Sequence, residues 1–187
     1  MRQKIKRTFR VARYIVYRET LVDKKDIFWS FTGAFTGIGL IGLIHQYWLS
    51  ASDNLFLVGS FGASAVLIYG HTQSPLAQPR NLVGGHILSA LVGISIRFLI
   101  PQPELQWLAC SLAVALAIVV MQVTRTIHPP GGATSLLAII GSSQIRDLGY
   151  LYALSPVASG VAIMLLIAWI VNNIPGNRRY PAHGKWW

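Results

Sequence analysis

Leu105 to Val123 runs without a single charged residue, and that one feature removes most folds from consideration. An apolar stretch of about 18 residues or more reads as a membrane-crossing helix. Phe28–Leu49 and Leu151–Val171 are equally free of charge, and Leu82–Ile100 carries only Arg97. In hydrocarbon each segment must satisfy its own backbone polar groups, which a helix does and an isolated strand does not. The expected class is an all-α membrane protein. Composition agrees: 53% of residues are hydrophobic and 12% charged, where soluble domains carry about 25% charged residues.

Charge is concentrated at the ends. Of 16 Lys and Arg, nine fall in residues 1–27, and Arg178, Arg179 and Lys185 lie in the tail. The net charge of +10 has no soluble module to carry it to nucleic acid. Basic flanks on apolar spans point to cytoplasmic termini and a face against anionic lipid. Within residues 1–22, Ile5, Phe9, Ala12 and Val16 recur every three or four positions among basic residues. This spacing predicts a helix lying flat in the cytoplasmic interface. No secretory leader is expected, because the first apolar run lacks a small-residue cleavage site. Cys110 is the only cysteine, so neither an internal disulfide nor a CxxC metal pair is available.

Two segments break the pattern of plain spans. Residues 53–70 are short and glycine-interrupted, and read as extended over 55–60 and helical over 61–70. Residues 124–130 lead with Pro129-Pro130 into a second short helix over 131–140. The two are related: GASAVL (62–67) and GATSLL (132–137) stand 70 residues apart, each between full spans. The chain divides accordingly into a basic segment 1–27, membrane repeats 28–104 and 105–172, and a basic cytoplasmic tail 173–187. If the broken segments cross, there are six crossings and the repeats are inverted. If they re-enter, there are four spans and two re-entrant helices. Arg80 and Arg125 favour the first, by the positive-inside rule. Such repeats are common in transporters, with the substrate near the midplane. Small residues on the first span (Gly33, Gly37, Gly39, Gly42) allow close helix contact and suggest a homo-oligomer.

The proline pair starts a helix abruptly, since proline suits the first helical position. Gly131 and Gly132 bare the backbone there, and free N–H groups at a helix start favour an anion. Ala133 keeps that turn small, and Thr134 and Ser135 add hydroxyls. Ser60, Phe61, Gly62, Ala63 and Ser64 are the counterparts on the other broken helix. The bland alternative is tight packing, with the hydroxyls bonded back to their own helix. Arg125 is either an anion-capturing charge or a lipid anchor. His128 is either a proton carrier or a hydrogen-bonded brace for the Pro-Pro turn. His86 either lines the site or packs, while His45 and Arg97 read as interfacial.

IHPPGGATSLLA, GSFGASAVLIYG and SPLAQPRNLVGGHILSALVG, in that family's order across residues 28–172, resemble the HPP family of integral membrane proteins. The resemblance implies nitrite transport, as described for family members in cyanobacteria and plastids. It implies a cyanobacterium-like inner or plasma membrane as the setting. It carries His128, Pro129 and Pro130, and with them Gly62, Ala63 and Ser64, into the expected site. No cofactor or metal is expected. The rival classes are an anion channel, a non-transporting scaffold or receptor, and an intramembrane enzyme. The last lacks acidic residues within the plain spans and any HExxH motif.

Overall fold

The computed structural model describes residues 23–47, 51–184 and 186–187, without the side chains of 51, 52 and 54–58. The basic interfacial segment expected over 1–22 lies outside the described residues. Every regular element described is helical. Helix α1 spans Lys24–His45, and the Asp23 carboxylate caps it by accepting from the Lys25 N–H at 2.9 Å. Helix α3 spans Pro79–Leu99, opening on a proline as helices favour. Helix α4 spans Gln106–Thr124 and ends on Arg125 in the left-handed region, with φ 58°. Four helices are long and apolar enough to cross a membrane: Lys24–His45, Pro79–Leu99, Pro103–Val123 and Ala153–Val171. The last, α7, is kinked at Ser155, whose backbone is extended at φ −138° and ψ 119° just before Pro156, and is regular α-helix over Ser159–Val171.

The two shorter segments differ from each other. The second is a short helix, as expected over 131–140: α5 spans Pro130–Ile140, 11 residues, or about 16 Å. The first is not broken. Helix α2 spans Ala51–Ala65 and runs on as a π-helix over Val66–Gly70, about 30 Å in all. The extended stretch expected over 55–60 is therefore helical. Glycine costs a helix up to about 1 kcal/mol, but an extended strand without a partner leaves every N–H and C=O unpaired in an apolar setting, which costs more. Asp53 sits buried in the first turn of α2. Its carboxylate accepts from the N–H and hydroxyl of Ser142, just before α6 (Ser143–Asp147).

Glycines bring the helices together where the backbones must nearly touch. A Cβ on Gly33 or Gly37 of α1 would strike the ring of Tyr69, whose hydroxyl donates to the Met164 carbonyl in α7. Gly39 and Gly42 face open space. Between α3 and α5, a Cβ on Gly93 would meet the backbone of Ser135, and one on Gly131 the carbonyl of Gly85. Gly160 of α7 makes room for Phe61 of α2.

Hydrogen bonds sort the helix ends into two groups. At one end Arg80 donates to the Thr124 carbonyl and Asn81 to the Ile127 carbonyl. The C-terminal segment folds against this same end. Arg178 pairs with Asp26 at 2.7 Å and also donates to Ser30 and the Tyr69 carbonyl. Tyr180 is buried and donates to the Ala77 carbonyl, and its burial raises the pKa of its hydroxyl well above the ordinary value. At the other end Asp53 holds Ser142, Arg97 donates to the Ala138 carbonyl and Arg146 to the Gly141 carbonyl.

Candidate functional site

Helices α2 and α5 lie antiparallel in the middle of the bundle. Asp53 meets Ser142, Ser60 meets Thr134, and Ser64 meets His128. Their burial repeats at the sequence offset of 70. Phe61, Ser64, Ala65, Ile68 and Tyr69 are buried, as are Gly131, Thr134, Ser135, Ala138 and Ile139. The sequence similarity between the two segments thus corresponds to a shared inward face.

That face is polar where it is deepest. Ser60, Ser64, His86, His128 and Thr134 are each at most 2% exposed. Ser60 Oγ lies 2.9 Å from Thr134 Oγ1, and Thr134 Oγ1 lies 2.7 Å from His86 Nδ1. Ser64 Oγ lies 2.8 Å from Nε2 of His86 and 2.8 Å from Nε2 of His128. His128 Nδ1 closes the series at 2.9 Å from the Leu76 carbonyl. Leu76 belongs to the 3₁₀ turn Pro75–Ala77 in the connection between α2 and α3. The two imidazole rings stand 5.0 Å apart, and Phe61 presents its ring to His86 at 5.1 Å. Buried polar groups are expensive unless bonded, and in membrane helices they mark functional paths. Among the described residues, no group of three His, Cys, Asp or Glu is placed to hold a metal.

The backbone geometry that places His128 is local. After Arg125 turns the chain out of α4, residues 126–129 run without regular structure into α5. Gly84 and Gly85 of α3 leave the space: a Cβ on Gly84 would meet Thr126, and one on Gly85 would meet His128. The HPP turn therefore lies flush on α3. The family model for HPP, transmembrane region, matches residues 19–181. The chain belongs to the HPP family.

Two curated relatives from Dictyostelium discoideum, each described only as a transmembrane protein, resemble it. One is 50% identical over 166 residues, 88% of this chain and 52% of the relative. The other is 45% identical over 171 residues, 91% of this chain and 59% of the relative. The chain thus spans little more than half the length of the curated relatives it matches. No solved structure matches it.

The HPP signature contributes to the seam unevenly. His128 enters it through both ring nitrogens, and Pro130 through its carbonyl, 3.2 Å from Ser60 Oγ. Pro129 is exposed. The first-turn donors of α5 are not free. Gly131 N–H bonds the His128 carbonyl at 2.8 Å and Gly132 N–H the Pro129 carbonyl at 3.1 Å. The turn caps itself, because a helix start in an apolar surround cannot leave its donors to water. At Gly62 there is no helix start at all, since α2 begins eleven residues earlier. A Cβ on Gly62 would meet nothing within 4 Å, one on Gly132 only a Val114 methyl at 3.9 Å, and Ala63 and Ala133 are exposed. Ser135 donates back to the Gly132 carbonyl. Arg125 is exposed. Of the expected residues, Ser60, Ser64, His128 and Thr134 converge, with Phe61 and Pro130 as walls.

His86 is the residue the sequence left undecided between lining and packing, and it bridges α3 to both inner helices. The Leu76 carbonyl and Tyr152, whose hydroxyl donates to the Thr134 carbonyl, carried no sequence signal. His45, read as interfacial, is buried. Ser89 is buried beside Gly131, and no hydrogen-bond partner is described for its hydroxyl.

Proposed function

We propose that this protein carries a small monovalent anion, with nitrite as substrate, across the membrane along the seam between α2 and α5. The observation that carries this reading is the seam's chemistry. It is built of hydroxyls and imidazoles, with no carboxylate among the groups that bond one another. Hydroxyl and imidazole N–H donors can solvate an anion that displaces them from one another. Ser89 adds a buried hydroxyl at the head of α5, where the helix dipole is positive. Substrate identity rests on the HPP signature, which is where nitrite enters.

The same reading gives six crossings in two inverted repeats. Helix α2 is long enough to cross, and its antiparallel run against α5 is what inversion requires. Among the described residues, Arg80, Arg125, Arg178 and Arg179 gather at the end that holds Asp26, and only Arg97 and Arg146 at the other. The positive-inside rule then makes the first end cytoplasmic, against anionic lipid. The open Gly39–Gly42 edge of α1 is where a second copy would pack.

Purified protein in liposomes tests the function. Saturable uptake of ¹⁵N-nitrite above that of protein-free vesicles is expected, and Ser64→Ala is expected to depress it. A wild-type rate equal to that of protein-free vesicles would remove the anion-transport reading in favour of a scaffold.

A further inference from the structure

One carbonyl sets the direction of the seam's hydrogen bonds from Leu76 back to Thr134. The Leu76 oxygen only accepts, so His128 Nδ1, 2.9 Å away, carries a hydrogen. In neutral His128, Nε2 is then bare and accepts from the Ser64 hydroxyl. Ser64 has one hydrogen to give, so its oxygen accepts from His86 Nε2–H. His86 Nδ1 is then bare and accepts from Thr134, whose oxygen can accept from Ser60, the Pro130 carbonyl at 3.2 Å being the other acceptor for that one hydrogen. Thr134 therefore points to His86, His86 to Ser64, Ser64 to His128, and His128 to Leu76.

A network serving only to satisfy buried groups needs no titratable member. This one has two imidazoles, the side chains suited to taking and losing a proton near neutral pH, joined through one hydroxyl. The groups facing them are known from each packed element. Helix α2 supplies Ser60, Ser64 and Phe61, and α5 supplies Thr134. The Leu76 turn supplies a carbonyl. Tyr152 reaches the Thr134 carbonyl and feels the Asp53 carboxylate, which is itself bonded to Ser142. No Lys, Arg, Asp or Glu bonds either imidazole among the described residues.

We infer that the seam is a proton wire, and that the anion crosses together with one proton. This deepens the anion-transport reading and rests on it. A proton delivered by the bound acid enters at the Ser60 oxygen, and each group passes its own hydrogen forward. Ser60 gives to Thr134, Thr134 to His86 Nδ1, His86 Nε2 to Ser64, and Ser64 to His128 Nε2. His128 Nδ1 then releases its hydrogen to water beside Leu76. One proton enters, one leaves, and no heavy-atom bond changes. Afterwards the His128 Nδ1 lone pair faces the Leu76 lone pairs. That repulsion drives the hydroxyls to rotate and the rings to turn back, which restores the original polarity. In the topology proposed above, release is on the cytoplasmic side. Anion and proton enter as a neutral pair, and the negative charge stays paired while the proton is held on the seam, so the two leave together.

The test uses the full chain in phosphatidylcholine vesicles containing a pH dye, with the voltage clamped by potassium and valinomycin. Nitrite uptake is measured as the initial rate above protein-free vesicles. An inward gradient of one pH unit is a tenfold proton ratio. The wild type should show several-fold faster uptake under it, one proton entering per nitrite, and no response to clamped voltage. Ser64→Ala breaks the wire and leaves both imidazoles in place, and His86→Gln keeps hydrogen bonding without titration. Both should lose the response to the pH gradient. Wild-type uptake should also slow in D₂O, a readout that needs no variant to fold. Uptake that follows voltage and ignores the pH gradient, or is unchanged in D₂O, overturns the wire and leaves anion transport standing. No uptake above protein-free vesicles overturns both.

Discussion

Gly131→Ala should destabilise this protein strongly, and Gly132→Ala should not. The residues are neighbours in one helical turn, and propensity alone favours alanine at both by up to about 1 kcal/mol. Packing separates them. A Cβ on Gly131 would lie 2.7 Å from the Gly85 carbonyl oxygen and 2.8 Å from Ser89 Oγ. Reaching an ordinary contact requires α5 to move away from α3 by about 0.7 Å, and such overpacking costs about 1–3 kcal/mol. The move also pulls Thr134 from His86, stretching a 2.7 Å bond that contributes about 1 kcal/mol. The net expectation is a loss of about 1–3 kcal/mol for Gly131→Ala. At Gly132 the nearest atom is 3.9 Å away, so stability should hold or rise slightly. Thermal unfolding in detergent, followed by size-exclusion chromatography, measures both. Equal stability of the two variants would refute the close packing of α5 on α3, and with it the placement of His128.

Three further outcomes follow from the same contacts. Arg178→Ala removes the Asp26 pair and the bonds to Ser30 and Tyr69, and bonds to a charged group contribute about 1.5–3 kcal/mol. The variant's C-terminal segment should be cut by protease in inside-out vesicles under conditions where the wild type resists. Arg125→Gly should raise the unfolding temperature, because a non-glycine residue held at φ 58° carries about 1 kcal/mol of strain. An unchanged or lower temperature would mean that the arginine side chain makes up that cost. In a Cys110→Ser background, a cysteine at His71 should resist an impermeant reagent applied to intact cells, and one at Gln144 should react. The opposite pattern would reverse the proposed orientation.

The full spans were legible in the sequence because an unbroken apolar run over 18 residues has few other uses. Leu82–Ile100 and Leu105–Val123 were placed within a few residues of the observed helices. The short helix at Pro130 was legible because proline disfavours a helix interior but starts a helix well. Helix α2 was not. Its glycines look like breaks by the propensities of water, while in an apolar surround the need to pair each backbone group outweighs them. The site was half legible. Ser60, Ser64, His128 and Thr134 stood in motifs that mark themselves by small residues and prolines. His86 is one polar letter in a plain span, and only the approach of α2 and α5 gives it partners. The anion pocket expected at bare helix ends fails on a point the sequence does not carry: the Pro-Pro-Gly-Gly turn folds its first N–H groups onto its own carbonyls.

Ser60 and Thr134 offer the most direct test of the seam as the path. Their hydroxyl oxygens are 2.9 Å apart across the two inner helices, so cysteines at both positions can close to a disulfide with little movement. In a Cys110→Ser background the double variant would be reconstituted, oxidised, and assayed for ¹⁵N-nitrite uptake before and after reduction. If the anion passes between α2 and α5, oxidation should stop whatever uptake the reduced double variant supports, and reduction should return it to that level. Undiminished uptake by fully cross-linked protein would contradict the claim that substrate moves along this seam.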